Sequence, residues 1–172
     1  MDKKLVSAPY EEVSGLKKLF TTRSLCLSAI IAALYAVLTM FLPALSYGAW
    51  QCRVSEALTV LPIVLPQAIP GLFVGCLVSN LLSPVGAADV IFGSLATLLA
   101  AVGTYALRKN RYLAAACPVV ANGIIVGGML AVVYALPLWL TMLQVAAGEL
   151  LAVIIGLVLL QAMKGVDLSK FQ

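Results

Sequence analysis

Val54-Ser55-Glu56-Ala57-Leu58-Thr59-Val60-Leu61-Pro62-Ile63-Val64-Leu65-Pro66-Gln67-Ala68-Ile69-Pro70, running on without a polar break through Gly71 to Leu82, is the stretch that sets the number of membrane crossings. A membrane helix needs roughly 20 mostly apolar residues. Val54–Leu82 is too long for one crossing and tight for two. Around and within it five spans are easy to draw: Ser24–Leu42, Gln67–Leu82, Asp89–Leu107, Leu113–Leu136 and Trp139–Met163. The short piece Val54–Leu65 is the difficult one.

Positive charge decides between one crossing and two, because cytoplasmic loops are enriched in Lys and Arg. The basic N-terminal tail (Lys3, Lys4, Lys17, Lys18, Arg23), the turn Arg108-Lys109-Asn110-Arg111, and Lys164 with Lys170 all belong inside. They share one side only if Val54–Leu82 crosses twice. The expectation is therefore an all-α integral membrane bundle of six transmembrane helices with both termini cytoplasmic. Its parts are a tail over residues 1–22, a membrane domain over 23–164 and a second tail over 165–172. Aromatic residues agree: Tyr47, Trp50, Tyr134 and Trp139 fall at the outer interface, Tyr105 and Tyr112 at the inner one. The run from Ser24 exceeds the roughly 7–15-residue core of a cleaved signal peptide, so it reads as a span.

Composition supports lipid as the solvent. The chain is 63% hydrophobic and 10% charged, with a mean hydropathy of +1.08. A soluble domain needs about 25% charged residues to cover itself. The net charge of +4 does not point to nucleic acid, because no aromatics interleave with the basic residues. There is no histidine, which excludes His-based metal sites and Ser-His nucleophiles. No CxxC pair occurs among Cys26, Cys52, Cys76 and Cys117, and the apolar ones read as small hydrophobes. No catalytic set, metal site or cofactor is expected.

Four charges remain within the membrane domain once the basic turn is set aside: Arg53, Glu56, Asp89 and Glu149. A charge at a helix centre costs about 2.5–3.5 kcal/mol on insertion scales, so each is a functional candidate. Glu149 lies ten residues below Trp139, about 15 Å along the helix and near the middle of a roughly 30 Å core. Asn122 reaches a similar depth, with Gln144 above Glu149. Gln51, Arg53 and Glu56 cluster where the second helix starts, and Asn80 and Asp89 flank the outer loop. Structural readings stand beside the functional ones. Asp89 also suits a helix N-cap, Arg53 and Glu56 an intrahelical ion pair, and Asn122 interhelical glue. Glu149 also suits a pair with Arg53. Taken together the polar groups suggest a pocket open outward and closed below. Carboxylates and amides there suit a cation or a flat heterocycle with N–H edges.

Small residues recur at spacing four. Most such pairs read as packing within the bundle. On the first helix Ala29, Ala32, Ala33 and Ala36 form a smooth stripe suited to docking another membrane protein.

The segment Gln51-Cys52-Arg53-Val54-Ser55-Glu56-Ala57-Leu58-Thr59-Val60-Leu61-Pro62, with Pro70-Gly71-Leu72-Phe73-Val74-Gly75-Cys76 and Asn80, resembles the signature of the QueT family of queuosine-precursor transporters. An aromatic is common in that family where this chain has Cys52. The resemblance implies a substrate-binding S component of an energy-coupling factor (ECF) importer in the bacterial plasma membrane. It implies partners as well: a transmembrane coupling subunit and two ATPase subunits, docked in part on the alanine stripe. It implies a 7-deazaguanine substrate such as the aminomethyl base or queuine. On this reading Glu149 or Glu56 accepts from the guanine-like edge, and Asp89 faces an amine. Gln51, Asn80, Asn122 and Gln144 add hydrogen bonds, Trp50 or Tyr47 stacks on the ring, and Arg53 holds Glu56 or reaches a carbonyl oxygen. The sequence holds no GxxxxGK followed by Ser or Thr, so ATP chemistry falls to a partner.

The competing reading is a stand-alone proton-coupled secondary transporter of a small cationic or heterocyclic solute, with Glu149 as the coupling carboxylate. The small size and the lack of an inverted repeat count against it.

Overall fold

In a computed structural model, residues 21–46 and 53–163 are described. They form α1 (Thr22–Phe41), a helical turn at Pro43–Ser46, a 3-10 helix at Val54–Ile63, α2 (Ala68–Asn80), a π-helical segment at Asp89–Gly93 that runs straight into α3 (Ser94–Ala106), α4 (Arg111–Val133) and α5 (Leu138–Ala162). Among the described residues there are no strands. α1, the continuous Asp89–Ala106, α4 and α5 are long and apolar enough to cross a membrane; Val54–Ile63 and α2 are shorter apolar helices. Residues 1–20 of the proposed N-terminal tail, Lys164 and the whole C-terminal tail with Lys170 lie outside the described residues, while Thr21 caps α1 and Thr22 begins it.

Val54–Leu82 folds as two antiparallel helices. Its first half, hereafter the tight helix, is where the sequence reading was hardest. Pro62 lies inside it, and Pro66 and Pro70 follow. Each proline withholds an N–H and crowds the preceding turn. A 3-10 winding rises about 2.0 Å per residue against 1.5 Å for an α-helix, so ten residues reach about 20 Å rather than 15 Å. The segment gains depth by stretching. The break below it is not left unsatisfied: Leu65 N–H donates to Leu61 O at 2.8 Å and the Ser28 hydroxyl donates to Gln67 O at 2.8 Å. Irregular backbone at membrane depth is tolerated where protein supplies such partners.

The tight helix touches all five other long segments: α1, α2, α3, α4 and α5. Its winding of about 3.0 residues per turn stacks Arg53, Glu56, Thr59 and Pro62 in one row, and all are buried. Close approach is built with glycine. A Cβ on Gly156 of α5 would run into Ala57 O of the tight helix, and one on Gly75 of α2 would lie 2.7 Å from Ala32 O of α1. Side chains pack around three apolar clusters, centred on Tyr35, Leu72 and Cys76, on Val126, Leu130 and Val145, and on Val60, Val153 and Leu160.

Outward the helices are apolar. Ile30, Leu143 and Val158 are each more than 60% exposed, a surface fit for lipid. Tyr134 and Trp139 are exposed beside the α4–α5 turn. Tyr112 is exposed at the α3–α4 turn, where Arg108 lies 3.9 Å from the centroid of the Tyr105 ring. Asn110 caps α4, its Oδ1 accepting from Tyr112 N at 3.1 Å and Leu113 N at 3.4 Å.

Gly156→Ala forces α5 away from backbone and is expected to cost roughly 1–3 kcal/mol by overpacking. Gly103→Ala meets only the Cys117 side chain, no nearer than 3.1 Å, and is expected to stay within about 1 kcal/mol of the parent. Thermal melting of the detergent-solubilised proteins measures both.

Candidate functional site

The two irregular helices carry three of the four charges, and α5 carries the fourth, Glu149. Arg53 heads the tight helix and is 4% exposed. Its Nε donates to Ser46 O at 3.2 Å, its Nη1 to Asn80 Oδ1 at 3.1 Å and its Nη2 to Asp89 Oδ2 at 2.8 Å. Asp89 opens the π-helical segment and is fully buried. Its Oδ2 also accepts from the Ser83 hydroxyl at 2.6 Å. Asn80 Nδ2 donates to Asp89 O at 3.0 Å and to Cys76 Sγ at 3.3 Å. Gly93 makes room for this knot, since a Cβ there would lie 2.6 Å from Asp89 Oδ1 and 2.7 Å from Asn80 Nδ2.

The expected Arg53–Glu56 ion pair is replaced by Arg53–Asp89. Arg53 precedes the helix with extended backbone and reaches sideways to α2 and the π-helical segment. Asp89, expected either to cap a helix or to face an amine, has its Oδ2 taken by Arg53 and Ser83, while its Oδ1 is without a hydrogen-bond partner among the described residues.

Glu56 accepts instead from the Tyr35 hydroxyl of α1, Oη to Oε1, at 2.5 Å. Its Oε2 has no hydrogen-bond partner among the described residues. Glu149 of α5 stands beside Asn122 of α4 and within electrostatic reach of Glu56 and Arg53. Glu149 Oε1 and Asn122 Nδ2 make no well-formed hydrogen bond among the described residues, although the Asn122 amide faces the Glu149 carboxyl within loose hydrogen-bonding range. All three side chains are buried, none more than 4% exposed. The pocket expected to open outward is thus a closed cluster in this structure.

This cluster presents one unpartnered oxygen on each of two acids, with the Asn122 amide beside Glu149, in a buried interior. Buried polar atoms are rarely left unmade, because each costs roughly 1–3 kcal/mol. The set complements a ligand with N–H donors at two points and a carbonyl oxygen at a third.

Gln144 is half-buried on α5. Gln51, Trp50 and Tyr47 lie outside the described residues. The alanine stripe is divided: Ala29 and Ala33 face outward, Ala32 is half-buried and Ala36 is buried. Tyr35, Ser83 and Ser46 were not singled out from sequence. A tyrosine in mid-span was the available signal for the first, since a buried phenol seeks a partner.

Residues 25–165 match the family described as QueT transporter. The chain belongs to the QueT transporter family. A curated relative from Lactococcus lactis subsp. cremoris (strain MG1363), the "Queuosine precursor transporter QueT", is 47% identical over 73 residues, which is 41% of this chain and 43% of the relative. The matched stretch thus spans less than half the length of that relative. No solved structure matches the chain. QueT membership and the apolar helices together make this a multi-pass membrane protein, as the sequence reading expected.

Removing one partner of the buried Arg53–Asp89 pair strands a charge. Arg53→Ala and Asp89→Ala are each expected to destabilise by about 3–5 kcal/mol. The double replacement Arg53→Met with Asp89→Leu is expected to recover most of that loss. Melting of the purified single and double variants reads both effects.

Proposed function

We propose that this chain is the substrate-capturing S component of an ECF-type importer for a queuosine precursor, a 7-deazaguanine. The observation that carries this reading is the buried set Glu56 Oε2, Glu149 Oε1 and Asn122 Nδ2, none of which makes a well-formed hydrogen bond among the described residues. A guanine-like edge offers N–H groups side by side with a carbonyl oxygen. One carboxylate takes the N–H pair in a charge-assisted geometry, and Asn122 donates to the carbonyl. The second carboxylate is then left for a cationic side arm. Arg53 does not answer it, because Asp89 already balances that guanidinium.

Family membership and the relative's name support transport of such a precursor. Both termini lie at the cytoplasmic face, on the strength of the basic tails and the basic turn. The partner docks on the outward face of α1, where Ala29 and Ala33 present a smooth strip suited to close helix contact. α1 packs mainly on α2 and the tight helix, so its other side is free for a coupling subunit. That subunit and a pair of ATPases supply the energy.

Calorimetry with the purified, detergent-solubilised chain tests the reading. The aminomethyl 7-deazaguanine base is expected to bind, with guanine weaker and riboflavin inert. Glu56→Ala and Glu149→Ala are each expected to weaken binding by about ten- to a hundredfold, the range for a hydrogen bond to a charged group. Absence of binding by any deazaguanine to folded protein, or unchanged affinity in the double alanine variant, would overturn it.

A further inference from the structure

Glu56 is held by a helix to which it does not belong. Its Oε1 accepts from the hydroxyl of Tyr35, in the middle of α1. Tyr35 is fully buried, and its ring packs with Leu72 and Cys76 of α2. Gly75 of α2 lets the ring in, since a Cβ there would lie 2.8 Å from Tyr35 Cβ. One turn further along α1, Thr39 Oγ1 lies 2.7 Å from Ser55 Oγ. Two successive turns of α1 therefore grip Ser55 and Glu56, neighbours on the tight helix. Arg53 shares a row with Glu56 yet directs Nε, Nη1 and Nη2 to Ser46, Asn80 and Asp89. The donor aimed at the Glu56 carboxyl is the phenol.

From this geometry we infer that Tyr35 is a positioning residue for ligand capture: its hydroxyl occupies Glu56 Oε1 and fixes the carboxyl so that Oε2 stands as a directed acceptor for the ligand. The inference rests on the reading of Glu56 as a ligand contact. A carboxyl turns easily about its last bond, and that freedom is lost when a ligand binds. A donor from α1 removes the freedom in advance. The hydroxyl also occupies one of the two carboxyl oxygens, leaving Glu56 a single acceptor to offer. A guanine-like N–H pair needs both oxygens of one carboxyl, so Glu149 reads the edge and Glu56 meets the side-arm donor.

The test is a double-mutant cycle on the full-length chain in detergent, with the aminomethyl 7-deazaguanine as probe. Tyr35→Phe keeps the ring and removes only the hydroxyl, and its melting without ligand checks that it folds. It is expected to weaken binding about tenfold or more. Added to Glu56→Ala, it is expected to change affinity by less than about twofold, since residues acting through one another are not additive. Ligand-induced infrared difference spectra supply a readout that packing alone does not move. The carboxyl band that vanishes in Glu56→Ala is expected to shift in Tyr35→Phe. If Tyr35→Phe binds as the parent does while Glu56→Ala loses binding, the inference fails and the site reading stands. The inference also fails if Tyr35→Phe weakens Glu56→Ala as much as it weakens the parent, because the effect is then packing. If Glu56→Ala binds as the parent does, the assignment of Glu56 fails first.

Discussion

A guanidinium shut away from water is the constraint on which this bundle is arranged. Arg53 is nine-tenths or more buried, and its hydrogen bonds end on three separate stretches of chain: Ser46 after α1, Asn80 at the end of α2 and Asp89 ahead of α3. Burying such a charge is tolerable only when paired and hydrogen-bonded. Meeting that requirement brings together the ends of segments that would otherwise be free to splay. The tight helix begins where Arg53 is anchored, and its row of buried residues runs down from that point between α1 and α5.

Both departures from regular α-helix serve the same end. A 3-10 winding is poorly bonded and seldom extends beyond a few residues, yet here it occupies the centre of the bundle. It is narrow, which suits a position walled by five helices, and Gly156 brings α5 close to it. The π-helical segment bulges so that Asp89 can meet Arg53 and Ser83 together. With Asp89 taking the guanidinium directly, Glu56 and Glu149 are left as buried acids, each with an oxygen unpartnered among the described residues. The proposed reading assigns that imbalance to a donor-rich ligand, whereas a complete set of internal pairs would serve only a stable bundle.

The long spans were legible because their signal is additive. Ser24–Leu42 and Trp139–Met163 each sum some twenty apolar side chains, and the observed α1 and α5 fall within two residues of those bounds. The split of Val54–Leu82 was legible from charge on distant turns, although its winding was not. Proline reports that a regular helix is disfavoured without saying what replaces it. At the site, the acids announced themselves by their cost in lipid. Their partners did not, because pairing is set by how separate helices rotate about their axes. Arg53 is three residues from Glu56 and thirty-six from Asp89, and sequence proximity favoured the wrong one. Tyr35 was overlooked because a single hydroxyl scarcely lowers the hydropathy of its window.

The bulge at Asp89–Gly93 makes register here a matter of winding. A π-helical turn holds one residue more than the regular helix it interrupts. Were the same five residues to wind as ordinary α-helix, the extra residue would turn everything upstream by about 100° relative to α3. The carboxylate would then swing off the guanidinium although no residue had changed. Losing one of the five would instead let regular helix form with the flanking register nearly kept. In this segment the winding matters as much as chemical identity, and Gly93, where a Cβ would meet Asp89 Oδ1 and Asn80 Nδ2, is the position at which a larger side chain would disturb it.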